Sequence, residues 1–145
     1  MKLRPIADFK ADFPDDAVWD EDDEPIILGG RAVAETVAGY LKGFGCELSE
    51  PEHTPPYGWR FEAHGREARV WIQITDLTDN IVLHTEDKRP FFKRLFAPVN
   101  AEHMKLLTKL HGKLADDPRF SDIKWWDRYD SRGVAAEIPV NADEL

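Results

Sequence analysis

The sequence predicts an α+β fold: an antiparallel sheet of about four strands, or five counting residues 123–127, with two main helices packed on one face. Three observations carry that expectation. A period of two runs through residues 57–86, where Trp59, Phe61 and Ala63, then Ala68, Val70, Ile72 and Ile74, then Ile81, Leu83 and Thr85 alternate with more polar neighbours. Successive strand side chains point to opposite faces, so the pattern means three strands with one dry face. Apolar residues also recur at helical spacing twice, in Val33, Val37, Tyr40 and Leu41 and again in Met104, Leu107, Leu110 and Leu114. The expected order is α-β-β-β-β-α-(β).

Taken along the chain, residues 1–28 read as an acidic N-terminal arm outside the packed centre. Asp15-Asp16 and Asp20-Glu21-Asp22-Asp23-Glu24 are like-charge runs that repel, and Pro5, Pro14 and Pro25 interrupt regular structure. Phe9, Phe13, Val18 and Trp19 stand among the acids, a mixture that orders against a partner or docks onto its own domain. Residues 29–130 read as the single α+β domain. Gly29-Gly30 turns into the first helix, Gly43 and Gly45 end it, and residues 46–49 alternate as a short strand stopped by Pro51. His64-Gly65-Arg66-Glu67 and Asp76-Leu77-Thr78-Asp79-Asn80 supply turns between the three strands.

Residues 87–96 read as a short helix with Pro90 in its first turn, its phenylalanines packed inward and Pro98 closing it. Asn100 suits the N-cap of the second long helix, and Asp116-Asp117-Pro118 stops that helix. Residues 131–145 read as a C-terminal tail, frayed from Pro139 onward.

A chain of 145 residues is the size of one domain. Its net charge is −9, laid out unevenly: residues 1–30 carry −6 and residues 88–113 carry +6. The overall acidity disfavours nucleic acid, whose phosphates need a basic footprint. Cys46, the single cysteine, excludes an internal disulfide and a cysteine metal site. No apolar run of signal-peptide or membrane-spanning type is present, so a soluble cytoplasmic protein is expected.

Three surfaces compete for function. The first expectation is a non-catalytic protein-binding module, in concrete form an acidic inhibitor or immunity-type protein acting by charge and aromatic complementarity. Its binding residues would be Trp19, Asp20, Glu21, Asp22, Asp23 and Glu24, with Trp71 and Trp126. The alternative is a small enzyme or metal-binding protein using Glu62, His64, His84 and Glu86 on the open sheet face as acid–base groups or ligands. A solvated or partner-covered face is the preferred explanation of those residues.

The third is a nucleic-acid accessory protein using the basic segment 88–113. There Lys88, Arg89, Lys93 and Arg94 interleave with Phe91, Phe92 and Phe96 in the charge-and-stack pattern used on single strands. It ranks last because the rest of the chain repels phosphate; solvation, or the acidic arm lying across the segment, is preferred. His103 and His111 are eight residues apart without the glutamate of the zinc-protease signature, and are expected as helix-surface histidines. A protein partner is expected, and nucleic acid, membrane, cofactor and metal are not; the oligomeric state is left open.

Overall fold

The computed structural model describes residues 3–96 and 100–141. It overturns the expected four-stranded sheet with two packed helices. Among the described residues the protein is mostly sheet: an eight-stranded antiparallel sheet, a separate two-stranded sheet and three short helices. The strands are β1 (Ile6–Ala11), β2 (Val18–Trp19), β3 (Pro25–Ile27), β4 (Glu47–Leu48), β5 (Glu52–Thr54), β6 (Gly58–His64), β7 (Arg69–Asp76), β8 (Ile81–Asp87), β9 (Phe120–Trp126) and β10 (Ala135–Ala136). The helices are α1 (Arg31–Gly43), α2 (Phe91–Phe96) and α3 (Ala101–Asp116).

The main sheet runs β10-β9-β1-β8-β7-β6-β4, with β5 also paired to β6. Alternation of β-branched and aromatic residues with polar ones sets the centre of the sheet in register. Trp59, Phe61 and Ala63 stand opposite Ile74, Ile72 and Val70, and Ile72 and Ile74 opposite Thr85 and Leu83. β4 and β5 share the outer edge of β6, Leu48 facing Ala63 and His53 facing Trp59, with Glu50 and Pro51 interrupting them. An edge broken this way offers no long ladder to a stray strand.

Residues 6–11, expected within the acidic arm, form the strand between β8 and β9. Ala7 and Phe9 are fully buried there, and β1 pairs Phe9 with Ile81 on one side and Ile6 with Trp126 on the other. The expected C-terminal tail is likewise tied down over part of its length. Ala135 and Ala136 pair with Trp126 and Trp125, and buried Val140 bridges to Leu3. Pro98, expected to close α2, and residues 142–145 of the tail lie outside the described residues.

One core joins sheet and helices. Val33, Ala34, Val37, Ala38 and Leu41 of α1 and Met104, Leu106, Leu107, Leu110 and Leu114 of α3 meet Phe9, Phe61, Ile72, Ile74, Leu83 and Trp125. α1 lies against β4, β6 and β7, and α3 lies against α1 and β9. Asn100 accepts hydrogen bonds from Glu102 N and His103 N at the start of α3 and donates from Nδ2 to the Glu67 carbonyl at 2.9 Å. This clamps the helix to the β6–β7 turn. At the other end Arg119, bonded at 2.7 Å, and the Tyr40 hydroxyl both grip Asp117 and hold its carboxyl well below the usual carboxylate range.

The two α3 histidines are structural groups within the fold, not a surface pair. His103 is buried, where the expectation placed it on the surface, and its Nε2 is 3.0 Å from the Thr85 hydroxyl. That hydroxyl donates to the Pro5 carbonyl at 2.8 Å, so His103 must supply the proton between them. His111 Nδ1 accepts from the indole of buried Trp125 at 3.0 Å. Burial pushes the Cys46 thiol up, which leaves it a poor nucleophile.

Candidate functional site

The acidic run Asp20–Glu24 is the turn of the β2–β3 hairpin. Like charges would hold this segment open, and one carboxylate closes it: Asp20 Oδ1 accepts from Asp22 N at 2.8 Å and Glu24 N at 2.9 Å. Asp20 N also donates to the Glu24 carbonyl at 2.8 Å, and Asp23 takes a left-handed conformation with φ 60°. Every residue of β2 and β3 is exposed, with Val18, Trp19, Ile26 and Ile27 between 37% and 56% accessible. Four apolar side chains therefore flank an anionic tip.

Both feet of the hairpin are fixed to the body. On one side the Asp16 carboxylate accepts from Gly30 N at 2.9 Å and Ala32 N at 2.8 Å, occupying the N-terminus of α1. A carboxylate is favoured there by the unpaired amides and the helix dipole. On the other side Leu28 N donates to His53 Nε2 at 3.0 Å, and Trp59 Nε1 donates to the Leu28 carbonyl at 2.9 Å. The hairpin is a pre-shaped projection, so little ordering entropy remains to be lost on binding.

Between the hairpin base and the end of the main sheet lies a cleft of about 760 Å³. Its walls include Phe13, Trp19, Leu28, Pro56 and Tyr57, and its rim carries Asp12, Asp15, Asp76 and Asp79. Lys10 also lines it, with its ammonium 3.5 Å from Asp122. β1 creates this arrangement by delivering residues 12–16 beside the β7–β8 turn. The cleft has the size and apolar walls of a site for a side chain or short segment, and its charge favours a cationic one.

The open face of the sheet is already internally paired. The Arg60 guanidinium lies 5.0 Å from the Trp71 ring centre and 4.7 Å from that of Tyr57, and donates to Gln73 Oε1 at 2.8 Å. Lys88 stands 5.8 Å from the same indole, with the His84 ring edge-on at 5.5 Å. His64 contacts Glu62 at 3.0 Å, Arg69 approaches Glu62 at 3.7 Å, and Lys88 pairs with Glu86 at 3.3 Å. His84 and Glu86 are on β8, separated from Glu62 and His64 on β6 by the whole of β7. Two strand spacings are about 10 Å.

The four side chains of the alternative site are thus two separate pairs. Burial lowers the His84 pKa. Among the described residues no group of three or more His, Cys, Asp or Glu is arranged to hold a metal ion.

The structure gathers Trp19 and Asp20–Glu24 in one hairpin but does not bring Trp71 or Trp126 to it. Trp126 is on β9, donates to Asp8 Oδ2 at 2.7 Å and meets Tyr129 edge-on at 5.7 Å. In the basic segment, Arg89 is bound to Asp87 at 2.8 Å. Phe91, Phe92 and Phe96 of α2, expected to pack inward, are exposed. Sequence reasoning missed Asp12, Asp15, Asp16, Asp76 and Asp79 as neighbours; the two Asp-rich turns were visible, but their meeting depends on where β1 inserts.

No helix among the described residues is long and apolar enough to cross a membrane. No protein-family model, curated protein or solved structure matches this chain.

Proposed function

We propose that this chain is a non-catalytic protein-binding module that engages a basic protein partner through its acidic end. The hairpin tip acts as a steering anion, and Trp19 acts as the apolar anchor. A cytoplasmic inhibitor or immunity-type protein, covering the cationic cleft of its target, is the concrete form of this reading. The observation that carries it is the hairpin held at both feet with four large apolar side chains left in water. Exposed apolar clusters on a folded chain mark interaction surfaces, tryptophan is the commonest anchor, and like-signed charge around it raises the encounter rate with the opposite sign. The cleft behind the tip supports the same reading, since a lysine or arginine of the partner would find carboxylates at its rim and aromatic walls inside.

Affinity capture from cell lysate tests it, followed by calorimetry with the captured protein after purification. Trp19→Ala is expected to weaken binding by about 2 kcal/mol, roughly thirtyfold. The triple variant Glu21→Lys/Asp22→Lys/Glu24→Lys is expected to slow association and remove most of its salt dependence. Asp20 is left intact because it closes the turn. Unchanged capture and affinity in both variants would sink the proposal.

A further inference from the structure

α2 is a second surface left uncovered among the described residues, and it has the chemistry that the hairpin lacks. Phe91, Phe92, Leu95 and Phe96 are between 60% and 84% exposed, and no residue of the helix is buried. At about 100° per residue these four side chains share one arc of the helix, and Lys93 and Arg94 occupy the other. Lys88 precedes them in the sequence. An apolar face edged by cations is the complement of an exposed tryptophan edged by anions.

The two surfaces sit at opposite ends of the β7–β8 ladder. The hairpin feet stand at the Asp76–Ile81 end, where Gly29 and Gly30 back onto Asp76 and Ile74. α2 follows the Val70–Asp87 end, where Lys88 N still donates to the Arg69 carbonyl at 2.7 Å. Six residue steps of strand separate the ends by about 20 Å. Both surfaces are exposed, so within one molecule neither covers the other. The expected docking of the acidic arm across its own basic segment is therefore not what the structure contains.

We propose that α2 is the docking site for the β2–β3 hairpin of a second copy of this chain. Trp19 of one copy packs on Phe91, Phe92, Leu95 and Phe96 of the next, with Glu21, Asp22 and Glu24 facing Lys93 and Arg94. The proposal rests on the reading of the hairpin as the recognition element and names one occupant for it. The contact joins unlike surfaces, so it runs head to tail unless it closes on itself as a ring or a reciprocal pair. Few residues take part compared with about 20–30 a side in a standard interface, so the dissociation constant is expected on the order of 10 μM or weaker. Self-association and capture of another partner then compete for the same hairpin.

Sedimentation of the purified full chain across micromolar to submillimolar concentration tests this with two variants. One carries Trp19→Ala/Glu21→Lys/Asp22→Lys and the other Phe92→Ser/Phe96→Ser, all at exposed positions. The unaltered chain is expected to self-associate as concentration rises, and each variant alone to stay monomeric. A one-to-one mixture of the two variants is expected to form a pair and nothing larger, because only one hairpin and one α2 remain competent. A monomeric unaltered chain overturns the proposal.

Loss of association in the hairpin variant with none lost in the α2 variant overturns α2 as the site while leaving the hairpin as the recognition element. Loss only in the α2 variant overturns the hairpin as the occupant, and capture of a partner by the Trp19 variant then decides the hairpin separately. A monomeric chain that co-floats with phosphatidylglycerol vesicles, and ceases to do so with Phe92→Ser/Phe96→Ser, overturns the proposal in favour of a lipid surface.

Discussion

Gly58→Ala is expected to lower the unfolding free energy by roughly 3 kcal/mol, read as an earlier urea midpoint with little change in slope. Gly58 is buried at the start of β6 with φ 126°, a conformation L side chains rarely adopt. A Cβ there would collide with the Ile74 carbonyl oxygen, and would stand 3.2 Å from the Ile74 carbonyl carbon and 3.3 Å from Thr75 Cα. All three are backbone atoms of the neighbouring strand, so no rotamer change relieves the contact, and β6 and β7 must part at the floor of the cleft. Gly39→Ala is the control, since a Cβ there meets nothing within 4 Å. In a helix interior that change is expected to stabilise by about 0.8 kcal/mol. A loss below about 1 kcal/mol for Gly58→Ala would contradict the strand register on which the cleft depends.

Acidification from pH 7 to pH 5 is expected to cost about 2 kcal/mol of stability through His103 alone. Burial lowers the His103 pKa to about 4, with nearby Asp87 pulling it up and Arg89 pushing it down. In the unfolded chain the group titrates near its ordinary value of 6.5. Between these values the unfolded state holds more protons than the folded one, so stability is full above pH 6.5 and falls as the pH drops towards 4. Protonation would also put a second donor on Nδ1, which has no hydrogen-bond partner in its buried position. His84 and His111, also lowered by burial, act in the same direction.

Denaturant titrations at pH 7, 6 and 5 check the slope, and His103→Gln isolates it. The variant is expected to be less stable at pH 7 but distinctly flatter between pH 7 and pH 5. An equal slope in both proteins would mean that His103 is not held neutral by the fold.

The strands β6, β7 and β8 were legible because their signals are local: a two-residue period, with the turns 64–67 and 76–80 between adjacent runs. The stretches that became α1 and α3 carried their stripes, and Asn100 its cap, within a few residues. What was not legible is non-local. β1 has only Ile6 and Phe9 as large buried residues, flanked by Pro5, Asp12 and Pro14, and its partners on β8 and β9 lie more than 70 and more than 100 positions away. No local pattern announces pairing at that range, and losing β1 also lost the placement of β9 and of residues 12–16. The acidic run is plain in the sequence, but charge alone makes Asp20 one more repelling group, whereas its carboxylate closes the turn. For α2, an apolar stripe alone predicts inward phenylalanines, whereas among the described residues no residue of that helix is buried.

The measurement closest to the central claim is a map of amide and indole resonances of the labelled chain as the captured partner is added. If the acidic end is the recognition surface, the Trp19 indole, residues 18–27, Gly29 and Gly30, and Asp76 and Asp79 shift together. Arg60, Trp71 and His84 on the open sheet face then hold their positions. Shifts centred on Arg60, Trp71 and His84, with the hairpin unmoved, would contradict the account and make the paired face of the sheet the site of binding.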